Sequence, residues 1–361
     1  MIDTPTNIFT GLKADRICLI KPSALGDIVQ TLPLLPVLRE RFPAARISWV
    51  VGSQFSNLLE GHPCLDELIP FDRKGGGLTF LKLLLTLKRR RFDLVFDLQG
   101  LLRTGLMTWA TRAPLRVGLE TAREGAQLAC HFALPNTNRL VPAHLRTWQV
   151  AEALGMGGRR RETIIPINEE DRTWAKGQLA GLSPRILAIH AGAQWETKRW
   201  PPGQFAYVAA KAARHFGISP VLVGSSSERR ITDDIERQVK KFVPSSRVLN
   251  LAGETSLKKL AAVLEKAEVV LSNDSGPMHM AAGLGRPVVG VFTCTSPERS
   301  GPPGEEHALI STRLSCAASY HKRCPHRGEY HLACLEELEA ERVWIALAKL
   351  LDSRRVRRHA A

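Results

Sequence analysis

The stretch VVLSNDSGPMHMAAGLGRPVVGVF at residues 269–292 places a polar loop and a run of small residues between two β-branched runs. Val269–Ser272 and Val288–Phe292 predict strands, and Met278–Leu284 predicts a helix between them. A strand, a helix and a further strand in this order are typical of a parallel sheet covered by helices. Residues 269–292 therefore predict an α/β fold.

The same alternation continues on both sides of this stretch and divides the chain into two halves. Further strands are predicted at Arg16–Lys21, Arg46–Val51, Asp93–Asp97, Arg185–His190, Val221–Gly224 and Val248–Leu251. Further helices are predicted at Ile28–Arg41, Leu78–Arg91, Leu101–Arg112, Ala143–Leu154, Asp171–Ala180, Gly203–Phe216, Glu228–Lys240, Ser256–Lys266 and Leu335–Leu351. A chain of 361 residues exceeds the usual size of one hydrophobic core. We therefore predict two doubly wound, Rossmann-like domains, residues 1–165 and 166–361, which face each other across a cleft.

Composition and charge narrow the class of protein. The longest apolar stretch, residues 78–87, is interrupted by Lys82 and has about half the length that a membrane-spanning helix needs. The seven cysteines do not suggest a disulfide framework, so we expect a cytoplasmic protein. The net charge of +15 favours an anionic partner without identifying it. Dispersed basic residues without an aromatic–basic RNA motif argue against nucleic acid, and peripheral contact with anionic lipid at the inner membrane face is the other candidate.

Cys316, Cys324 and Cys334 lie in a short stretch with three histidines. Their spacing lacks the Cys-x2-Cys hook of zinc ribbons, so we expect no metal there. We interpret the stretch as a loop with small, semi-buried side chains, and the pattern leaves the role of the three thiols open.

Ligands of doubly wound sheets bind beyond the carboxyl ends of the strands, so the loops that follow strands contain the candidate site. The first of them, Lys21-Pro22-Ser23-Ala24-Leu25-Gly26-Asp27, lacks the three glycines of a dinucleotide site. Asp27 could accept a proton at the mouth of the cleft, but Ser23 or Asp27 could equally cap the following helix. The spacing alone leaves both roles open.

Two loops of the second half contain further candidate groups. The loop His190–Pro201 begins with small residues, including Gly192, which allow a ligand close to the backbone, and Lys198 could bind a phosphate. A solvated basic turn is an equal alternative for this loop. The loop Leu251–Ser256 could line a base or a ribose, whereas Ser256 is equally a helix cap.

The loop Asn273–His279 gives the strongest signal. Pro277 suits the first helical position and Ser275 or Gly276 the cap, so backbone N–H groups and the positive end of the helix dipole would point at a ligand. A helix start of this kind is a ready anion site. Capping accounts for Ser-Gly-Pro but not for the Asn-Asp before it. A carboxylate beside a phosphate would be repelled, so we assign Asp274 to sugar hydroxyls.

Taken together, these loops resemble glycosyltransferase family 9, the bacterial ADP-heptose:lipopolysaccharide heptosyltransferases. The resemblance runs from about Arg16 to Leu351 and rests on five segments in order, residues 21–33, 97–101, 118–124, 198–201 and 273–279. The family implies the GT-B fold, with the acceptor on the N-terminal domain and the donor on the C-terminal one. It also implies inversion at the anomeric carbon. The last helix could pack back on the N-terminal domain.

The resemblance implies roles for individual residues as well. Asp27 would be the general base for the acceptor hydroxyl, by analogy with inverting hydrolases. Lys198 would neutralise the departing diphosphate, which the amides of Ser275 and Gly276 would bind. Asp274 would hold the sugar. The other donor-side residues are Gly192, Thr255 and His279, and the acceptor-side residues are Ser23, Gly26, Gln99, Arg123 and His144.

The sequence thus predicts an inverting transferase that moves a heptose or a related sugar from ADP-heptose to an anionic lipopolysaccharide core acceptor. It requires no cofactor, and a divalent cation such as Mg²⁺ is compatible with it but not indicated. Two alternatives stay open. A nucleotide-sugar epimerase of the same fold would need further acid–base carboxylates around the sugar, and a non-enzymatic sugar-nucleotide-binding protein would need no base at Asp27.

Overall fold

The computed structural model describes the backbone of residues 9–359 and the side chains of residues 9–353. The chain divides into two compact units between Pro166 and Ile167, one residue beyond the predicted boundary. The arrangement of the two units across a cleft stays a prediction. Among the described residues, no helix is both long enough and apolar enough to span a bilayer.

The first unit is built on a six-stranded sheet. Its strands are β1 (Arg16–Ile20), β2 (Arg46–Gly52), β3 (Glu67–Phe71), β4 (Leu94–Asp97), β5 (Leu115–Leu119) and β6 (Phe132–Leu134). Its helices are α1 (Leu25–Thr31), α2 (Leu34–Arg41), α3 (Ser56–Leu59), α4 (Gly76–Arg90), α5 (Leu102–Thr111) and α6 (Ala143–Ala153). All neighbouring strands pair in parallel, in the order β3-β2-β1-β4-β5-β6. The central strands are almost entirely buried, as expected when helices cover both faces of a sheet.

The second unit repeats this plan. Its strands are β7 (Ile186–His190), β8 (Ser219–Leu222), β9 (Leu249–Asn250), β10 (Val269–Asn273), β11 (Val288–Phe292) and β12 (Ala308–Ser311). Its helices are α7 (Glu169–Gln178), α8 (Pro202–Phe216), α9 (Arg229–Phe242), α10 (Leu257–Lys266), α11 (Gly276–Gly283), α12 (Pro297–Ser300), α13 (Ala333–Glu337) and α14 (Ala340–His359). The parallel order is β12-β11-β10-β7-β8-β9. Helix α14 contributes Val343, Leu347 and Leu351 to the core of this unit.

Each sheet has one point at which the strand order reverses. It lies between β1 and β4 in the first unit and between β7 and β10 in the second. Both orders are those of Rossmann-type doubly wound sheets, in which ligands bind at this switch point. The predicted α/β class with two Rossmann-like units is therefore confirmed, and the loops after β1, β4, β7 and β10 are the places to look for a site.

The predicted elements differ from the observed ones in a few places. The predicted helix Ile28–Arg41 is two helices, because Pro33 lacks the N–H that a continuous helix would use. The predicted helix Leu335–Leu351 lies in α13 and α14, with a break after Glu337. Four strands were not predicted, namely β3, β5, β6 and β12.

Candidate active site

Asn273, the last residue of β10, connects the two loops at the switch point of the second sheet. Its buried side chain donates from Nδ2 to the Ala191 carbonyl at 2.7 Å, and its Oδ1 accepts from the Trp200 N–H at 3.3 Å. Asn273 therefore holds the loop after β7 beside the loop after β10. The Asn of the Asn-Asp pair, which capping could not explain, has this structural role.

Lys198 and Asp274 form an ion pair at the same edge of the sheet. Lys198 Nζ lies 2.7 Å from Asp274 Oδ2, and Thr295 Oγ1 donates to the same carboxylate oxygen at 2.7 Å. The two paired side chains are only 16% and 6% exposed, and the ammonium lies 4.5 Å from the centre of the Trp195 ring. Shielding from water strengthens the attraction between the charges. Lys198 is thus held in place by its partners and is not part of a solvated turn.

Ser275 occupies the N-cap position of α11, and Gly276 and Pro277 follow it in the first turn. No described side chain caps this helix, because Ser275 Oγ lies instead 2.9 Å from His190 Nδ1 and 3.1 Å from Ser272 Oγ. The first N–H groups of a helix without a side-chain cap, together with its dipole, favour an anion. The helix start therefore offers an anion-binding site directly after Asp274 in the chain.

The loop after β8 adds a carboxylate that the sequence analysis missed. Glu228 Oε2 lies 3.7 Å from His190 Nε2, so Ser275, His190 and Glu228 form a chain of polar contacts. Burial alone raises the pKa of Glu228, but the His190 imidazole and the hydrogen bonds from Ser225 outweigh burial and lower this pKa to about 2. Glu228 is therefore ionised at neutral pH. The small residues 225–227, which follow the predicted strand Val221–Gly224, are the sequence signal that points to this loop.

Gly192 makes room for this carboxylate. A β-carbon at Gly192 would lie 1.6 Å from Glu228 Oε1, so a larger residue would displace Glu228. The close approach to the backbone that the glycine allows is made here by a side chain of the protein. The predicted contact between Gly192 and a donor is not tested by this geometry and stays a prediction.

The remaining donor-side residues lie in or beside these loops. Thr255 is half-buried in the loop after β9, and the next residue, Ser256, caps α10 by accepting from the Lys259 N–H at 3.2 Å. Of the two roles considered for Ser256, the structure shows the cap. His279 is buried within α11. The donor roles of Thr255 and His279 stay predictions.

In the first unit, the loop after β1 brings Lys21 and Asp27 together. Asp27 Oδ2 accepts from the Ala24 N–H at 3.1 Å and lies 3.7 Å from Lys21 Nζ. Lys21 is buried and donates to the Leu98 carbonyl at 3.0 Å, which ties the loops after β1 and β4 to each other. The Asp27 side chain remains 40% exposed. A capping contact and an accessible carboxylate therefore coexist at Asp27, and the first does not exclude the second.

The segment Asp97–Gly100 turns sharply after β4. Asp97 Oδ1 accepts from the Gln99 N–H at 3.0 Å and from the Gly100 N–H at 2.9 Å, and burial raises the pKa of the Asp97 carboxyl. Gly100 has a φ of 65°, and a β-carbon on it would lie 2.8 Å from the Ala122 backbone. Asp97 and Gly100 thus shape the turn. Gln99 is different, since its Oε1 is buried without a hydrogen-bond partner in the described structure.

Gln99 and Ser23 line one pocket of about 390 Å³ in the first unit. Its walls also include apolar and charged side chains, namely Phe71, Phe80, Leu101, Leu102, Leu106, Arg73, Arg103 and Glu124. This volume lies within the range of small-ligand sites. Two guanidinium groups beside apolar walls suit a ligand that is anionic and partly apolar.

Gly26, Arg123 and His144 do not belong to the lining of this pocket. Gly26 lies in the first turn of α1, directly before Asp27. The Arg123 side chain is 54% exposed, and its Nε lies 3.7 Å from a Glu124 carboxylate oxygen. His144 is half-buried at the start of α6. The acceptor roles of these three residues stay predictions.

The cysteine-rich stretch forms part of a second pocket, of about 230 Å³. Cys316, Cys324 and Cys334 line it together with Cys294. Burial and the neighbouring Cys316 raise the pKa of Cys334 to about 12, so this thiol is protonated at neutral pH. Cys334 belongs to α13, so the stretch is only partly a loop. Within the part of the chain that the structure describes, no three His, Cys, Asp or Glu side chains are placed to hold a metal ion.

Comparison with known proteins places this geometry in a family. Residues 80–329 match the model of glycosyltransferase family 9 (heptosyltransferase). The lipopolysaccharide core heptosyltransferase OpsX of Haemophilus influenzae is 28% identical over 301 residues, 82% of this chain and 84% of the relative. A family 9 glycosyl transferase from Veillonella parvula has a TM-score of 0.78 at 26% identity, covering 95% of this chain and 98% of its own. The Escherichia coli ADP-heptose lipopolysaccharide heptosyltransferase II has a TM-score of 0.72 at 23% identity, covering 94% and 99%.

Two doubly wound sheets in one chain, each with polar loops at its switch point, define the GT-B class of glycosyltransferase folds. The family model matches more than half of the chain, and the chain therefore belongs to glycosyltransferase family 9. The predicted family, the GT-B fold and the assignment as a glycosyltransferase enzyme are confirmed.

Proposed function

We propose that this chain is an inverting heptosyltransferase that moves a heptose from ADP-heptose to an anionic lipopolysaccharide core acceptor. The observation that carries the proposal is the Lys198–Asp274 pair beside the start of α11, at the switch point of the second sheet. A fixed cation next to a helix N-terminus suits the diphosphate of a nucleotide sugar. The names of the Haemophilus and Escherichia relatives support heptose as the sugar, ADP as the nucleotide and lipopolysaccharide as the acceptor.

On the donor side, Lys198 would neutralise the diphosphate as it departs, while the amides of Ser275 and Gly276 bind its oxygens. Negative charge grows on the leaving group during the reaction, and one such donor contributes about 2.7–4 kcal/mol to the transition state. Asp274 would accept from a hydroxyl of the sugar and keep Lys198 in place. In this scheme the lysine supplies the positive charge, so no cofactor is required. The remaining donor residues of the proposal are Gly192, Thr255 and His279.

We add Glu228 to this donor site. Its carboxylate is ionised and lies among the loops after β7, β8 and β10, in contact with Gly192 and near His190. In doubly wound sheets an acidic residue at the carboxyl ends of the strands accepts from ribose hydroxyls. Glu228 would hold the ribose of the nucleotide in this way.

On the acceptor side, Asp27 would be the general base. The acceptor hydroxyl gives its proton to the Asp27 carboxylate while its oxygen bonds to the anomeric carbon, and the bond from that carbon to the diphosphate breaks so that ADP leaves. A base on the face opposite the leaving group gives inversion. The acceptor would bind to Ser23, Gly26, Gln99, Arg123 and His144. With a nucleotide donor the reaction would take place in the cytoplasm, and with a glycolipid acceptor it would take place at the inner membrane face, where the enzyme would make peripheral contact.

A transfer assay tests this function. The purified protein is incubated with ADP-heptose and a Kdo–lipid A acceptor, and the product is analysed by mass spectrometry. We expect the acceptor to gain the mass of one heptosyl residue. An epimerised donor without any acceptor product would contradict the proposed transfer, and so would tight binding of nucleotide sugars without turnover of any of them.

A further inference from the structure

Helices α4 and α5 each have a second apolar stripe that the fold leaves exposed. The stripe residues recur at intervals of three and four, so they share one face of their helix. They are Leu78, Leu81 and Leu85 on α4 and Leu102, Leu106 and Trp109 on α5, and their exposures lie between 42% and 78%. Other residues of the two helices, among them Leu83, Leu87 and Met107, make up the buried faces. The exposed stripes are therefore not needed for the core.

The two stripes belong to helices that pack against each other, and we name the two stripes together the α4–α5 face. Single exposed leucines are ordinary on a protein surface. Six large apolar side chains aligned on two neighbouring helices are not, and such patches mark binding surfaces.

Basic side chains predominate on the helices of this face, and Glu124 is an acidic group beside it, since its Oε2 accepts from the Leu102 N–H at 3.3 Å. Neither α4 nor α5 contains an aspartate or a glutamate. Lys82 lies between the exposed leucines of α4, and Lys88, Arg89 and Arg90 form its last turn, all of them exposed. Arg103 is exposed beside the stripe of α5. An occupant of this face must therefore offer both apolar contact and negative charge.

We propose that the α4–α5 face binds the surface of an anionic phospholipid bilayer. The leucines and Trp109 would enter the boundary between headgroups and acyl chains, while the ammonium and guanidinium groups contact lipid phosphates. A second copy of the chain fits poorly, because a symmetric dimer would bring the cations of α4 against one another. Nucleic acid would match the charge but not the six apolar side chains.

The position of the face relates it to the pocket of the first unit. Leu102 and Leu106 belong both to the stripe of α5 and to the wall of the pocket that Ser23 and Gln99 line. A bilayer bound to the face would lie beside this pocket. A lipid-linked acceptor could then reach the pocket without leaving the membrane, a step that rests on the proposed function, whereas the lipid binding itself does not.

Flotation of the full-length protein with vesicles tests the proposal. The vesicles contain either phosphatidylcholine alone or an equal mixture of phosphatidylcholine and phosphatidylglycerol, and we expect binding to the mixture that weakens as salt is added. A variant with Lys82→Gln, Lys88→Gln and Arg89→Gln should bind about 100-fold more weakly, because each basic residue near an anionic surface contributes about 1 kcal/mol. A variant with Leu81→Gln and Leu85→Gln should also lose vesicle binding.

Matched controls change exposed residues of the same types elsewhere. Leu140 and Phe242, which are 81% and 46% exposed, are the control positions for the two leucines, and the exposed Arg230, Arg237 and Lys241 of α9 are those for the three basic residues. Changed to Gln, these control residues should leave vesicle binding as it is. Equal binding to both kinds of vesicle, or equal losses in controls and α4 variants, would overturn the proposal. So would a dimer of the wild type that the α4 changes dissociate, since the occupant would then be a second copy.

Activity separates this proposal from the proposed function. The α4 variants should keep the wild-type thermal unfolding curve and the wild-type rate on a water-soluble acceptor, because none of their changed residues lines the pocket. Loss of vesicle binding with that rate unchanged supports the face as a membrane surface. Vesicle binding can also be measured if no transfer activity is found, so the two proposals fail independently.

Discussion

Replacement of Lys198 by Met removes the cation from the proposed diphosphate site and keeps a long side chain in its place. The ammonium is held 2.7 Å from Asp274 and is 16% exposed, so water would replace it poorly. We expect kcat to fall about 100- to 1000-fold, the loss found when one preorganised donor to a growing negative charge is removed. The assay is steady-state transfer of heptose at saturating ADP-heptose and acceptor.

The same substitution also affects folding, and the size of this effect follows from the partners of Asp274. Loss of one member of a buried ion pair costs about 3–5 kcal/mol, because the other charge stays buried. We expect about 3 kcal/mol, the low end of that range, because Thr295 still donates to Asp274 at 2.7 Å. For a domain of this size the loss lowers Tm by about 6–12 °C.

A double variant separates the two effects. Lys198→Met combined with Asp274→Asn leaves no uncompensated charge, so most of the lost stability should return, while kcat should stay low. Two results would show that Lys198 does not stabilise the departing diphosphate. One is a single variant with kcat within a few-fold of wild type, and the other is a double variant in which kcat recovers together with Tm, since Lys198 would then serve the fold alone.

Three further predictions concern the loops around this pair. The lowered pKa of Glu228, about 2 against an ordinary 4.5, adds stability that is fully present above pH 4.5 and is lost as the pH falls towards 2. Urea unfolding should therefore show that wild type is more stable than Glu228→Gln by on the order of 2–3 kcal/mol at pH 7. This difference in stability should vanish near pH 2. A difference that does not change with pH would contradict the prediction. Gly192→Ala should lower the stability by about 1–3 kcal/mol and raise the KM for the donor, since its methyl group would displace Glu228. The control Gly177→Ala on α7, where an added methyl meets no atom within 4 Å, should keep or slightly raise the stability and leave the donor KM near its wild-type value. Asn273→Ala should lower Tm and raise the donor KM, because the Ala191 carbonyl and the Trp200 N–H lose a buried partner at about 1–3 kcal/mol each; unchanged thermal melting and donor KM would show that Asn273 does not hold these loops.

The central strands of both sheets could be predicted from sequence because burial on both faces leaves short apolar runs, such as Ile186–Ile189 in β7 and Val269–Leu271 in β10. Three of the four missed strands, β3, β6 and β12, lie at sheet edges, where the strands are less completely buried. Strand β3 contains Pro70, which is tolerated at an edge and reads as a break. The fourth, β5, contains an arginine and a glycine and so lacks a continuous apolar run.

Parts of the site that lie within one loop could be predicted from sequence, whereas contacts between residues of different loops could not. The helix start at Ser275–Pro277 could be read from adjacent residues, whereas the pairing of Lys198 with Asp274 joins positions 76 residues apart. Glu228 was missed because its contacts with His190 and Gly192 exist only after β7 and β8 pair in the sheet. Spacing could not decide between capping and catalysis for Asp27, and the structure shows why, since the cap and the exposed carboxylate occur on the same side chain.

The configuration of the product at the anomeric carbon is the most direct test of inverting transfer with Asp27 as the general base. ADP-heptose labelled with ¹³C at that carbon is incubated with the acceptor and either wild type or Asp27→Asn. The amide oxygen of this variant can still accept from the Ala24 N–H. We expect wild type to form a product of opposite configuration to the donor, and we expect the variant to bind the donor with wild-type affinity but to form almost no product. A product of retained configuration, or turnover by the variant at the wild-type rate, would contradict this mechanism.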